Sequence, residues 1–161
     1  MKLHLLLFTI ILILAACAPS PLATPSPAPL ASRGGIEILE ATVRLPGNAG
    51  AGVKDTAATL AGYFVIKNTG PADDSLLSIQ ADFAGLTMLH ESFVDSNGVA
   101  GMNMVSAVAI PAGQTVELKP GGFHAMFVGL KRELKVGSEV TLTLQFQTAG
   151  RIDVQARVTA Q

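Results

Sequence analysis

Two histidines and four methionines that lie close together in the chain are the residues best suited to chemistry. They are His90, His124, Met88, Met102, Met104 and Met126. A thioether sulfur is a soft donor that suits a soft cation such as Cu(I), and a neutral imidazole also binds copper well. The grouping therefore predicts a soft-metal site built between positions 88 and 126.

The spacing of these donors fits strands whose side chains share one face. His124 and Met126 stand two positions apart in an alternating segment, so both side chains should leave the same face of a strand and converge on one ion. The Pro-Gly-Gly sequence at 120–122 predicts a tight corner just before them. Met88 and His90 have the same spacing as the later pair, which indicates a second strand that contributes to the site.

Met102 follows the weakly patterned segment 98–101, so we expect it in a loop that folds over the site. Taken singly, a methionine is more often a flexible filler of the core than a ligand. A histidine in a small β-domain is likewise more often a surface or hydrogen-bonded residue. The residues alone therefore leave two interpretations open, a copper site and a β-domain whose methionines only fill its core.

Short apolar runs with a period of two, separated by Gly, Pro, Asn and Asp, predict an all-β sandwich or barrel from residue 36 onward. The alternation is clearest over 140–146 and 152–158, where one face should be buried. Eight strands are predicted, at 36–45, 60–68, 76–83, 87–94, 115–119, 123–130, 140–146 and 152–158. Turns are predicted at 68–71, 96–98, 111–113, 120–122 and 149–150.

The amino terminus has the pattern of an export signal. Lys2 is followed by an apolar run, 3–14, that is too short to span a membrane as a permanent helix. The run ends in Leu-Ala-Ala-Cys at 14–17, which resembles the lipobox of bacterial lipoprotein precursors. We therefore expect residues 1–16 to be a signal peptide and Cys17 to carry lipid. The alternative is a plain secretory signal with an incidental cysteine.

Residues 17–35 are expected to be a lipidated cysteine followed by a Pro/Ala-rich tether, and residues 36–161 to be a single β-domain. Cys17 is the only cysteine, so its lipidation leaves no thiol for disulfides, catalysis or metal ligation. The formal net charge of -1 gives no basic surface for phosphate backbones, which argues against a nucleic-acid partner.

The spacing of four donors resembles the ligand pattern of a known family. Eleven residues separate His90 from Met102, twenty-one separate Met102 from His124, and one separates His124 from Met126. This pattern is similar to that of the PCu(A)C family of periplasmic copper chaperones. Further segments resemble the family domain, namely 63–68, 73–77, 110–113, 116–126 and 129–131, together with Arg44. The resemblance covers residues 36–160.

The resemblance implies a cupredoxin-like Greek-key fold and a Cu(I) site made by His90, Met102, His124 and Met126. It implies a carrier rather than an enzyme, one that holds copper for insertion into a cytochrome c oxidase copper centre. The expected acceptor is an oxidase subunit or a Sco-type assembly protein. We expect a monomer that is anchored to the membrane by lipid, in the periplasm or on the outer cell surface.

The sequence departs from the family pattern at several positions. Ser75 stands where arginine is common, Glu91 where some members have a further methionine, and Asn103-Met104 where Arg-Pro is frequent. None of these changes removes one of the four ligands. They leave Met88 and Met104 as auxiliary ligands or as substitutes for Met102.

The residues also bear on three other classes of protein. A blue-copper electron carrier requires a thiolate with two histidines, and the only cysteine is the expected anchor. No nucleophile paired with a base supports an enzyme, and a Cu,Zn dismutase needs more histidines than the chain has. The remaining alternative is a surface β-sandwich lipoprotein that binds proteins or small apolar ligands without metal.

Overall fold

The computed structural model describes residues 28–47 and 49–161, which contain thirteen strands and no helix. The strands are β1 (Ala31–Arg33), β2 (Ile36–Arg44), β3 (Gly52–Val53), β4 (Leu60–Asn68), β5 (Asp74–Ala81), β6 (Ala84–Val94), β7 (Ala100–Val105), β8 (Val108–Ile110), β9 (Thr115–Leu118), β10 (Phe123–Leu130), β11 (Leu134–Lys135), β12 (Glu139–Phe146) and β13 (Arg151–Thr159). The predicted all-β class is confirmed. The predicted signal peptide, the lipidated Cys17 and residues 18–27 of the predicted tether lie outside the described residues. The described residues contain no helix that is long and apolar enough to cross a membrane.

Eleven strands form one mixed sheet, in the order β7-β6-β10-β4-β2-β13-β12-β5-β8 with β1 beside β2 and β9 beside β4. β13 runs parallel to β2, whereas β10 is antiparallel to both of its neighbours, β6 and β4. β3 and β11 form a separate two-stranded pair. The strands that carry the six candidate donors are therefore adjacent, because β7, β6 and β10 follow one another at one end of this order.

The core follows from the alternation in the sequence. Every apolar residue predicted to face inward from the two clearest strands is buried, namely Val140, Leu142, Leu144, Phe146, Ile152, Val154, Ala156 and Val158. Four phenylalanines are fully buried, and the rings of Phe83 and Phe127 pack with centroids 5.2 Å apart at a tilt of 50°. Aromatic pairs in this geometry stabilise a core beyond the area that they bury. Phe127 on β10 thus fixes that strand from the side opposite to His124 and Met126.

All eight predicted strands are present, and β10 has the predicted bounds. Five shorter strands were not predicted, namely β1, β3, β7, β8 and β11. β1 changes the predicted domain boundary, because Ala31–Arg33 pair with β2 and so belong to the folded domain rather than to a tether that ends at residue 35. Gly34 and Gly35 both have positive φ, 58° and 86°. Two positive φ values in a two-residue loop are typical of a type I′ hairpin turn, which glycine adopts readily.

Three polar or charged residues are buried in the described part of the chain, and two of them hold loops together. Asn68 donates to the carbonyls of Ala72 and Ile110, 2.8 and 2.9 Å away. Asp74 accepts N–H groups from Ser75, Thr148 and Ala149. The third buried polar residue is His124, which lies among the candidate donors.

Candidate metal site

The strand register places all six candidate donors on one face of the sheet. On β6 and β10, His90 is directly opposite His124 and Met88 is opposite Met126. On β6 and β7, His90 is opposite Met104 and Ser92 is opposite Met102. Residues paired in this way share a face, as do residues two apart on one strand. The donors therefore form a patch across three adjacent strands.

This patch lies on the outer face of the sheet. Leu89 and Ala125, which alternate with the donors on β6 and β10, are 4% and 0% exposed and belong to the core. Because successive side chains of a strand point to opposite faces, the donors must point away from the core. Their position argues against the interpretation in which all four methionines fill the interior, and Met102 and Met104 are 58% and 72% exposed.

The two histidine rings are close enough to share an ion. Their centroids are 5.8 Å apart and the rings are perpendicular, with an interplanar angle of 89°. A metal bound to a ring nitrogen at about 2.0 Å lies about 3 Å from the ring centre, so two rings on one ion have centres no more than about 6 Å apart. The observed separation satisfies this limit with small adjustments of the rings.

A backbone carbonyl defines the proton position on His124. Its Nδ1 is 3.1 Å from the carbonyl oxygen of Gly122. Since a carbonyl only accepts, Nδ1 carries the hydrogen and donates it, which leaves the lone pair on Nε2. Metal-binding histidines typically donate their other nitrogen to a carbonyl or carboxylate in this way, because the bond orients the ring and selects the tautomer. The Pro-Gly-Gly corner supplies this carbonyl.

The surroundings of His90 favour its neutral form. Burial lowers the pKa of its imidazole, and the nearby His124 lowers it further by charge repulsion. Its Nδ1 is buried and has no hydrogen-bond partner among the described residues. A buried polar atom without a partner costs free energy, so it often marks a place where a ligand or ion belongs. A neutral imidazole is also the form that binds a metal.

Three of the four predicted ligands line one cavity of about 300 Å³, namely Met102, His124 and Met126. Tyr63 and Ser92 also line it. His90 does not line it but lies next to it, directly opposite His124, with the two ring centres 5.8 Å apart. The sequence predicts only that Tyr63 lies in a strand, not that it lies near the donors. Its position on β4, which pairs with β10, brings it to the cavity, and Arg44 lies 5.9 Å from its ring centre.

The prediction that Met102 lies in a loop was wrong, because Met102 is in strand β7. Asp95 accepts N–H groups from Asn97 and Val99, and Gly98 has a φ of 79°, so a tight turn joins β6 to β7. The Asp-Ser-Asn-Gly sequence at 95–98 is the signal that predicts such a hairpin.

Phe93 and Gly101 explain why β7 forms despite its glycine. They are opposite each other, and a Cβ added at Gly101 would meet the Phe93 ring. The ring therefore lies directly over the glycine, an arrangement known to stabilise glycines in strands.

Met88 and Met104 lie beside the predicted ligands and line a different cavity, of about 420 Å³, between β5 and the β6–β7 hairpin. No group of three or more His, Cys, Asp or Glu side chains suited to a metal occurs among residues 28–47 and 49–161. The donors that the described residues do bring together are thioethers and imidazoles. This set suits a soft monovalent cation better than a hard one.

A family model described as "Putative lipoprotein LpqE-like" matches residues 36–158 of the chain. A curated relative from Leifsonia xyli subsp. xyli (strain CTCB07), named "Putative lipoprotein Lxx21020", is 34% identical over 117 residues, which are 67% of this chain and 70% of the relative.

Solved structures with a similar architecture include a PCuAC domain and the protein DR1885. The apo PCuAC domain from PmoF1 has a TM-score of 0.65 at 22% identity and covers 81% of this chain and 98% of its own. Apo-DR1885 from Deinococcus radiodurans has a TM-score of 0.58 at 28% identity, with coverages of 94% and 97%. CuI-DR1885 has a TM-score of 0.56 at 31% identity, with coverages of 74% and 75%. The fold is therefore the cupredoxin-like β-barrel of these domains.

Proposed function

This chain belongs to the LpqE-like lipoprotein family, and from that premise we propose that it binds one Cu(I) ion outside the cytoplasm and carries it to an acceptor protein. The observation that carries the proposal is the alignment of soft donors on one outer face, with His90 directly opposite His124. Two similar solved structures support it, namely the copper-bound PCuAC domain from PmoF2 and CuI-DR1885.

The proposed ligands are His90, Met102, His124 and Met126. Two imidazoles and two thioethers are all uncharged, so the bound ion keeps its single positive charge. A thiolate site, by contrast, cancels that charge and holds the ion more firmly. A neutral ligand set therefore suits a carrier, because an acceptor that offers thiolates can take the ion by replacing one ligand at a time.

The exposure of the site supports transfer between proteins. Met102 is 58% exposed on β7, so an acceptor can reach the ion from this side, whereas His124 is 8% exposed and forms the floor of the site. In this proposal the protein is a carrier and not an enzyme, since the ion leaves chemically unchanged. Thioethers also form no disulfides, which keeps the donors competent in an oxidising compartment.

We further assign the acceptor and the anchor. The acceptor would be either a cytochrome c oxidase subunit or a Sco-type assembly protein. It would receive the ion for the assembly of an oxidase copper centre. Cys17 would carry lipid and hold the protein at the membrane, in the periplasm or on the outer cell surface. The family and the relative both bear lipoprotein names, which supports the anchor.

The test is a Cu(I) titration of the purified full chain in detergent against a chromophoric chelator, in a Cys17→Ser background so that no thiol of unlipidated Cys17 competes. We expect one tightly bound ion per chain. His124→Gln and the near-isosteric Met126→Leu should each weaken binding by about 100-fold or more, since even the loss of a partner of a ligand costs roughly 10–100-fold.

The control is Leu86→Ala, an exposed residue of β6, the strand that carries His90. It should leave the affinity unchanged. Thermal unfolding of each variant shows whether the fold is retained. Equal copper affinity of the wild type and the His124 and Met126 variants would refute the proposal. Loss of folding on Met126→Leu would favour a packing role for that methionine.

A further inference from the structure

Two methionines lie on the donor face and are not among the four proposed ligands. Met104 is directly opposite His90 on β7, and Met88 is two positions from His90 on β6. All three side chains therefore share one face. With His124 opposite His90 on the other side, His90 stands between two sets of donors.

Packing does not account for Met104. Its side chain is 72% exposed, although a methionine that fills a core is normally shielded from water. Met88 and Met104 line the same cavity of about 420 Å³, a notch bounded by Leu77, Ser78 and Ile79 of β5. Two thioethers thus line one opening, which is distinct from the cavity lined by Met102, His124 and Met126, although Met88 is also opposite Met126 on β10.

His90 connects the two sets of donors. A neutral imidazole has one free lone pair, so His90 ligates one ion at a time. Its Nδ1 is buried and has no partner among the described residues, so no hydrogen bond there holds the ring in a single orientation. The ring can therefore bind an ion on the Met88 and Met104 side or on the His124 side, but not on both together.

We propose that Met88, Met104 and His90 form a loading site that receives Cu(I) from solution or from a donor and passes it to the His124 side. This inference rests on the proposed copper-carrying function. During transfer His90 stays bound, the bonds from copper to the Met88 and Met104 sulfurs break, and bonds to Met102, His124 and Met126 form. Copper stays in the +1 state throughout, and no proton or electron is gained or lost.

The experiment isolates the loading site by blocking the main site, which is the one made by His90, Met102, His124 and Met126. In the full chain with Cys17→Ser, the variant His124→Gln/Met126→Leu should still bind one Cu(I), about 100-fold or more weaker than the wild type. Adding Met88→Leu/Met104→Leu to this variant should abolish that weak binding. In a chain with the main site intact, Met88→Leu/Met104→Leu should slow copper uptake in stopped-flow mixing with the Cu(I)–chelator complex.

The inference is overturned if the blocked variant binds no more copper than the variant with all four changes, or if weak binding survives all four. If His124→Gln/Met126→Leu does not fold, Met102→Leu/Met126→Leu blocks the main site with near-isosteric changes and the same comparison applies. Failure of the carrier function itself gives a different result, because the wild type then binds no copper or the blocked variant binds it as tightly as the wild type.

Discussion

His124 is a buried histidine whose Nδ1 donates to a carbonyl and whose Nε2 is available, and burial lowers the pKa of His90 opposite it. Both features favour metal binding, since a protonated imidazole cannot ligate. The spacing of His124 and Met126 was sufficient to predict that they share a face. The pairing of His90 with His124 could not be predicted, because register between strands far apart in sequence depends on the whole sheet.

Copper affinity should depend on pH, because an imidazole must lose its proton before it can bind a metal. Burial, with a smaller contribution from His124, lowers the pKa of His90, so protons compete with copper there only below the ordinary histidine value of about 6.5. We expect the Cu(I) affinity to fall as the pH drops below about 6 and to level off above about 7.

Chelator competition from pH 5 to 8 measures this dependence. Met102→Leu is the matched control, because a thioether does not titrate and its loss should lower the affinity equally at every pH. An affinity that is flat over the whole range would argue against histidine ligation.

At the scale of elements, the β6–β7 hairpin positions Met102. Phe93→Ala removes the ring that covers Gly101, so β7 should become less ordered and Cu(I) affinity should fall by less than about tenfold, or 1.4 kcal/mol. Amide hydrogen exchange of residues 100–105 should become faster. Phe93→Tyr, which keeps the ring, should restore both properties, and an unchanged exchange rate in Phe93→Ala would show that β7 does not depend on this contact.

A second element, the junction of β5 with the loop after β12, depends on Asp74. Burial acts to raise the pKa of this carboxyl, but hydrogen bonds from the backbone N–H groups of Thr148, Ala149, Ser75 and Gln147 together bring it below its ordinary value. A group with a lowered folded-state pKa stabilises the fold above its unfolded pKa of about 3.9, and this stability is lost as the pH falls through the folded value.

Asp74→Asn should therefore lower the free energy of unfolding at pH 7 by about 1–3 kcal/mol, because one acceptor oxygen is replaced by a donor. Urea unfolding at pH 7 and pH 3 measures the effect, and the variant should lose less stability than the wild type on acidification. Asp153→Asn is the control at an exposed carboxylate. A variant as stable as the wild type at pH 7 would refute the role of Asp74.

Strand prediction succeeded and failed for identifiable reasons. The alternation over 123–130 and 140–146 is strong because one face enters the core, and the structure has strands there. β7 and β1 contain Gly, Ala, Ser and Asn, whose strand propensity is low. They form because β6 has an open edge and β2 has one over residues 36–38, where it is not paired with β13. In the sequence, only the Asp-Ser-Asn-Gly and Gly-Gly turns indicate these two strands. Met102 was wrongly predicted to lie in a loop because the sequence of its strand, β7, has this low strand propensity.

At the scale of the whole molecule, lipid on Cys17 would hold the copper-carrying domain at the membrane. Cys17→Ser should shift the protein from the membrane fraction, because two acyl chains on one residue give stable anchoring and the serine cannot accept them in the same way. Cell fractionation followed by immunoblotting measures the distribution. The Leu86→Ala protein is the control with an intact anchor, and an unchanged membrane fraction for Cys17→Ser would contradict lipidation at that residue.

The central claim is that imidazoles and thioethers from three adjacent strands meet on one Cu(I) ion. X-ray absorption of the Cys17→Ser full chain, loaded with one equivalent of Cu(I), tests it most directly. We predict two nitrogen scatterers at about 2.0 Å and two sulfur scatterers at about 2.3 Å, with the sulfur contribution reduced in Met102→Leu/Met126→Leu. A spectrum with only nitrogen or oxygen neighbours, or one that this double variant leaves unchanged, would contradict the account.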